Sequence, residues 1–264
     1  MARLTVKDLL DAKGTRRFCQ VYIRNAKEAA ACNAAGVDMV IHWEGGDIAA
    51  VRAAAPDAFL TVGLVYGRHA SIPEALGAAY RALELGADAV YCPQSLAYVE
   101  AFAAEAIPTV GHVGFVPYKR TWMGGFKAVG KTADDAWRIY RDALAYQDAG
   151  AFAVEIEIVP AAVAAEISSR LDLLTIGMGA GSGCDAQYLF ATDILGDNEG
   201  HIPRHAKVYR DHRAEYKRLY EDSIAAFSEF RADVISGAYP TPQHSLGIDP
   251  DELSRFRSLI DDTP

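Results

Sequence analysis

The sequence predicts an α/β protein, a (β/α)8 TIM barrel with a C-terminal helical appendage, on three observations. Eight short apolar runs recur between Phe18 and about Asp193, and alanine-rich helical stretches separate most of them. The runs are near-continuously apolar rather than alternating, as in parallel strands covered by helices. An open doubly wound sheet is the other arrangement these units allow. No Pro/Ser/Gly-rich linker divides the chain, so a single domain over 1–264 is expected, with the barrel over about 15–200 and C-terminal helices over about 206–264.

In chain order the expected strands are Phe18 to Ile23, Asp38 to Trp43, Phe59 to Val65, Ala89 to Cys92, Pro108 to His112, Phe152 to Val159, Leu173 to Met178 and, on weaker patterning, Gln187 to Thr192. Two helices carry their own start signals: Ser71 with Pro73 and Glu74 before 74–85, and Thr132 with Asp134 and Asp135 before 133–148. Gly86 and Gly150 then read as C-terminal caps. A Gly/Asn turn after Asp193 leads to a long charged helix from about Ala206 to Arg231 and a short one from Asp249.

Charge and composition exclude several classes. Lys and Arg total 26 against 35 acidic residues, a formal net charge of -9, so nucleic acid is not an expected partner. No apolar run approaches the ~18 residues needed to cross a bilayer, and the polar opening Met1 to Asp8 is neither a secretory nor an import signal. No membrane partner and a cytoplasmic location are therefore expected. Cys19, Cys32, Cys92 and Cys184 form no Cys-x-x-Cys pair and read as buried, reduced thiols.

Barrel chemistry sits where the strands end. Arg24, Glu44, Arg68, His112, Glu157 and the turn from Gly177 to Asp185 all occupy such positions. Glu155 lies two residues before Glu157 and so on the same strand face. Two carboxylates on one face can divide into an acid and a base, or be separated by pairing with Arg24 or a lysine. The basic, glycine-hinged segment Tyr118 to Lys127 has the character of a mobile lid over an anionic substrate.

Three stretches carry a family resemblance: Gly111-His112-Val113-Gly114-Phe115-Val116-Pro117 running on to Gly124-Gly125-Phe126-Lys127-Ala128-Val129-Gly130-Lys131; Glu157-Ile158-Val159-Pro160; and Ile176-Gly177-Met178-Gly179-Ala180-Gly181 with Asp185-Ala186-Gln187. In this order they closely resemble ketopantoate hydroxymethyltransferase, of the phosphoenolpyruvate mutase/isocitrate lyase superfamily. The likeness is strong from about Ile107 to Ser245. It implies a homo-oligomeric enzyme of pantothenate biosynthesis that holds a 2-oxo acid through magnesium and adds its enolate to the carbon of methylenetetrahydrofolate. It also implies Glu157 as the catalytic carboxylate, His112 as a hydrogen-bonding catalytic partner, and Gly179 in a turn that shapes the substrate pocket.

The N-terminal half departs from this pattern. The family takes its metal carboxylates from three strand ends, and here those positions hold Glu44, Gly63 and Pro93. One carboxylate of three remains, so magnesium is expected to bind poorly. Arg24 and Arg68 are the available cations to take over the charge of a 2-oxo acid, with Glu44 and Glu155 as further substrate-binding candidates. The expected function is a hydroxymethyltransferase-like or aldolase-like enzyme, diverged in substrate and metal use, that makes or breaks a C–C bond next to a 2-oxo acid or related anion through an enolate. The alternative is a catalytically silent barrel binding a small anionic ligand.

Overall fold

The computed structural model describes residues 3–262. Eight parallel strands close into a barrel in sequence order: β1 (Phe18–Tyr22), β2 (Met39–Trp43), β3 (Phe59–Gly63), β4 (Ala89–Tyr91), β5 (Thr109–Gly114), β6 (Ala153–Glu157), β7 (Leu174–Met178) and β8 (Ala186–Phe190). All eight fall on the expected runs, within a few residues at the ends. The closing pair is β1 with β8, in register Phe18 to Ala186 and Tyr22 to Phe190. Helices α1 (Val6–Asp11), α2 (Ala26–Ala34), α3 (Ile48–Ala54), α4 (Ile72–Glu84), α5 (Leu96–Ala104), α6 (Ala133–Asp148), α7 (Ala161–Ser168) and α8 (Ala191–Leu195) complete this unit, which ends at Arg210.

Two cores follow from the pleat. Outward-facing strand residues such as Val40, Val62, Val90, Val154 and Ile156 pack with alanines of the surrounding helices. Inward-facing residues Phe18, Met39, Phe59 and Leu174, with Phe152 just before β6, fill the lower interior, and Leu9 of α1 joins them, fully buried. The lower interior is therefore apolar, and polar side chains collect toward the upper end. The expected caps are present: Gly86 (φ 101°) and Gly150 (φ 90°) follow α4 and α6, and the Thr132 side chain accepts from Asp135 N–H at 3.2 Å.

The β7–β8 connection has no helix. Residues 179–185 cross back alone, far shorter than the usual dozen or more residues of a parallel crossover. The glycines explain how: a Cβ at Gly181 would stand 2.3 Å from Ala161 Cβ, and one at Gly183 2.4 Å from Ala165 Cβ. Only alternate glycines let the strip lie this flat on α7. Asp185 consequently opens β8 at the end of the barrel opposite the strand-end face, where it accepts from Thr175 N–H (2.8 Å) and hydroxyl (2.7 Å) and pairs with Lys13 at 2.6 Å.

The second compact unit begins at Asp211 and holds α9 (His212–Ser236) and α10 (Pro250–Asp261). The long helix starts later than the expected Ala206, because the Asp211 side chain accepts from Ala214 N–H and fixes the N-cap, and it runs on to Gly237 in the left-handed conformation. Among the described residues no helix is long and apolar enough to cross a membrane. Cys92 and Cys184 are buried, but Cys19 is exposed, contrary to expectation; its Sγ lies 3.3 Å from Asp38.

Candidate active site

The strand ends enclose a cavity of about 250 Å³ at the barrel mouth. Tyr22, Ile41, Trp43, Tyr91, Tyr188 and Phe190 form much of its wall, and His112, Glu155 and Glu157 also reach it. Register explains the convergence: His112 on β5 is paired with Glu155 on β6, and Glu157 lies opposite Gly114. All three side chains are buried, at 4%, 4% and 5% exposure.

The imidazole is the hub. His112 Nδ1 is 2.8 Å from the Tyr91 hydroxyl and 3.7 Å from Glu155 Oε2, while Nε2 is 3.0 Å from Glu157 Oε2. The Tyr91 hydroxyl thus orients the ring through Nδ1, and Nε2 faces Glu157. The Nε2–Glu157 contact is close but out of line, so neither atom gains a hydrogen bond from it. Glu155 Oε1 is likewise buried without a hydrogen-bond partner.

Burial pushes the Glu155 carboxyl up to about 7; His112 opposes the rise, Glu157 adds to it, and the nearby Gln20 amide offsets part of it without reaching hydrogen-bond geometry. Burial, reinforced by the charge of Glu155, also holds the Tyr91 and Tyr188 phenols well above the ordinary tyrosine range, so both stay protonated donors. Backbone strain marks the same place. Ile158, the residue after Glu157, has φ 51°, costly for a β-branched side chain. A Cβ at Gly114 (φ 86°) would meet Glu157 O at 2.4 Å, so only glycine lets the chain leave β5 against the end of β6.

Other predicted residues are placed elsewhere. Glu44 does not line the cavity: it accepts from Val65 N–H at 2.7 Å, is 2.7 Å from His69 Nε2, and lies 3.7 Å from Arg68. Arg24 is held by Glu28 and Asp197, both at 2.6 Å, and its pKa is raised, chiefly by the Glu28 hydrogen bond. Arg68 is half-exposed, with its guanidinium 5.9 Å from the Trp43 ring centre. Gly179 backs onto the His205 ring, which a Cβ would approach to 3.0 Å, and lines neither cavity described here. Gly63 is at the mouth and Pro93 lines a neighbouring cleft. The three positions that the resemblance assigns to the metal thus offer one carboxylate, already engaged, and two residues without a donor side chain. This donor set does not fit magnesium.

The neighbouring cleft is larger, about 1440 Å³, and shares His112 and Tyr118 with the mouth. Lys119, Lys127 and Lys131 line it. The expected lid forms one side: Tyr118 stacks on Tyr66 (4.2 Å, 9°), Phe126 packs on Phe115 (4.3 Å), and Trp122 between them is 94% exposed. The aromatic wall and Gln20 were not singled out by sequence, although inward parity at the last strand positions marks Tyr22, Trp43, Tyr91 and Phe190.

The sequence profile of the ketopantoate hydroxymethyltransferase family matches residues 37–242. The chain is 36% identical over 227 residues to 3-methyl-2-oxobutanoate hydroxymethyltransferase 1 of Methylibium petroleiphilum, covering 84% of this chain and 73% of that one. It is 33% identical over 268 residues to the enzyme of the same name from Thermus thermophilus, covering 92% and 100%. Among solved structures, 2,3-dimethylmalate lyase, a phosphoenolpyruvate mutase/isocitrate lyase superfamily member, shares the fold at TM-score 0.54 and 12% identity over 91% of this chain and 93% of its own. A lyase/mutase-type protein from Burkholderia cenocepacia does so at 0.54 and 12% over 96% and 95%. Barrel, motif order and sequence identity agree: the chain belongs to the ketopantoate hydroxymethyltransferase family.

Proposed function

We propose that this chain is an enolate-forming enzyme that makes or breaks a C–C bond next to a carbonyl, of the hydroxymethyltransferase or aldolase type. The observation that carries this is Glu157 Oε2: a buried carboxylate oxygen at the cavity, with no hydrogen-bond partner, 3.0 Å from an imidazole nitrogen. Such a group is free to take a proton from a carbon held in front of it. His112, oriented by Tyr91, donates to the carboxylate or to the substrate oxygen as the proton moves. Membership in the family supports the reaction class, and its own substrates are 2-oxo acids.

The Glu44, Gly63 and Pro93 positions support a mechanism without the family's magnesium. The lysine-lined cleft suits a bulky anionic one-carbon donor, methylenetetrahydrofolate in the family, delivered beside His112. A homo-oligomer in the cytoplasm completes the reading. The test is proton NMR of candidate carbonyl compounds in heavy water, beginning with 3-methyl-2-oxobutanoate, with magnesium and with chelator. Exchange of the proton next to the carbonyl that survives chelation and is lost in Glu157→Gln supports the reading. Exchange that requires magnesium restores the family mechanism. Absence of exchange, with ligand binding unchanged in Glu157→Gln, returns the silent barrel.

A further inference from the structure

The mouth cavity is built against negative charge. Neither lysine nor arginine is among the described residues lining it, and its two acids are Glu155 and Glu157. The rest of the wall near them is aromatic or aliphatic, including Tyr22, Trp43, Met178 and Phe190. Arg24 is engaged by Glu28 and Asp197, and Arg68 lies outside the lining beside Glu44. A carboxylate placed here meets Glu157 with no lysine or arginine in the lining to offset the repulsion. An uncharged carbonyl compound meets protonated phenols, an imidazole and apolar walls.

Resting on the enolising function above, we propose that the barrel mouth takes an uncharged, apolar carbonyl compound, with Glu155 in its acid form donating to the carbonyl oxygen and Glu157 accepting the proton of the neighbouring carbon. This narrows the substrate away from the anionic 2-oxo acid expected from sequence. The step balances without a metal. The C–H bond breaks, its electron pair becomes the C=C bond of the enol, and the carbonyl π pair takes the Glu155 proton. Glu157 ends as the acid and Glu155 as the carboxylate, so the site carries the same charge before and after and no oxyanion is left. Burial of Glu155 and its free Oε1 suit it to this exchange, and Tyr91, Tyr188, Gln20, His112 and Glu157 are the polar groups around it.

A matched pair tests this: 3-methyl-2-oxobutanoate and its primary amide have nearly the same shape and differ by one charge. Ligand-observed NMR gives each Kd with the full chain, and exchange of the C3 proton in heavy water gives turnover. The amide is expected to bind on the order of tenfold or more tightly than the acid, and to exchange. Tighter binding and exchange of the acid overturn the proposal while upholding the enolising reading. Preferred amide binding without exchange of either compound upholds the charge selectivity and removes the enolising reading. Failure of both to bind overturns the proposal. Phe190→Arg places a cation on a partly exposed part of the wall and is expected to shift the ratio of acid to amide affinity about tenfold toward the acid; an unchanged ratio overturns the electrostatic argument.

Discussion

Glu44 just after β2 and Glu157 at the end of β6 are the same residue type at similar heights of one barrel, in opposite states. Glu44 has a backbone N–H and the His69 ring on its oxygens and Arg68 close by. Glu157 Oε2 has a neighbouring imidazole and no hydrogen bond. A satisfied buried carboxylate is a joint between loops; an unsatisfied one that faces a cavity keeps its lone pairs for a ligand. The difference separates structure from chemistry where residue type does not.

The sharpest break of that comparison is Glu157→Gln. Loss of the proton acceptor is expected to slow C–H exchange by about 10²- to 10⁴-fold. Denaturant melts should show no loss of folding stability, because Glu157 Oε2 makes no hydrogen bond that the amide would lose. A stability loss with exchange intact would make Glu157 another Glu44.

Glu155→Gln tests the same wall through pH. With the folded carboxyl raised from an ordinary 4.5 to about 7, the native state holds this proton where the unfolded chain has lost it. Stability is therefore retained below about pH 4.5, falls as pH rises toward 7, and levels off above; a shift of this size is worth on the order of 3 kcal/mol. Wild type and variant are expected to be similar at pH 5, and the variant more stable by that amount at pH 8. His112, Glu157, Tyr91 and Tyr188 face the group, so unfolding curves at several pH values on both proteins are the measurement. Parallel curves would place the Glu155 proton elsewhere.

Glu44→Gln sharpens the other side. The variant weakens the charge-assisted contacts to Val65 N–H and His69 and is expected to cost about 1–3 kcal/mol of stability with the exchange rate held. An exchange loss as large as that of Glu157→Gln would return Glu44 to the chemistry.

Legibility in the sequence follows the same division. The barrel was readable because most strand positions are buried on both faces and write themselves as apolar runs, and β8 was the weakest because Gln187 and Phe190 are exposed. The start of α9 was misplaced because helical composition ran past Asp211, whose capping side chain was the better signal. Motif and parity put His112, Glu155 and Glu157 at strand ends, where all three reach the cavity. What stayed hidden was pairing: the partners of Glu44 come from the next loop, and Asp197 reaches Arg24 from 173 residues away. Sequence shows which charges exist, whereas the folded chain decides which are already spoken for. Glu28, only four residues after Arg24, reaches back to it from the first turn of α2.

Arg24 gives the smallest effect and the finest distinction. Its guanidinium joins Glu28 of α2 to Asp197 after α8, with the arginine side chain 40% exposed. Solvent screens a pair of this kind, and Arg24→Met is expected to cost no more than about 1 kcal/mol. Affinity for the oxo acid and its amide should both stay unchanged, since the guanidinium does not reach the cavity. An Arg24 that stood in for the metal would instead give a selective loss of affinity for the acid. Titrating both ligands against Arg24→Met separates the two accounts: a loss confined to the acid puts Arg24 back at the substrate, and parallel curves leave it tying two loops of the barrel together.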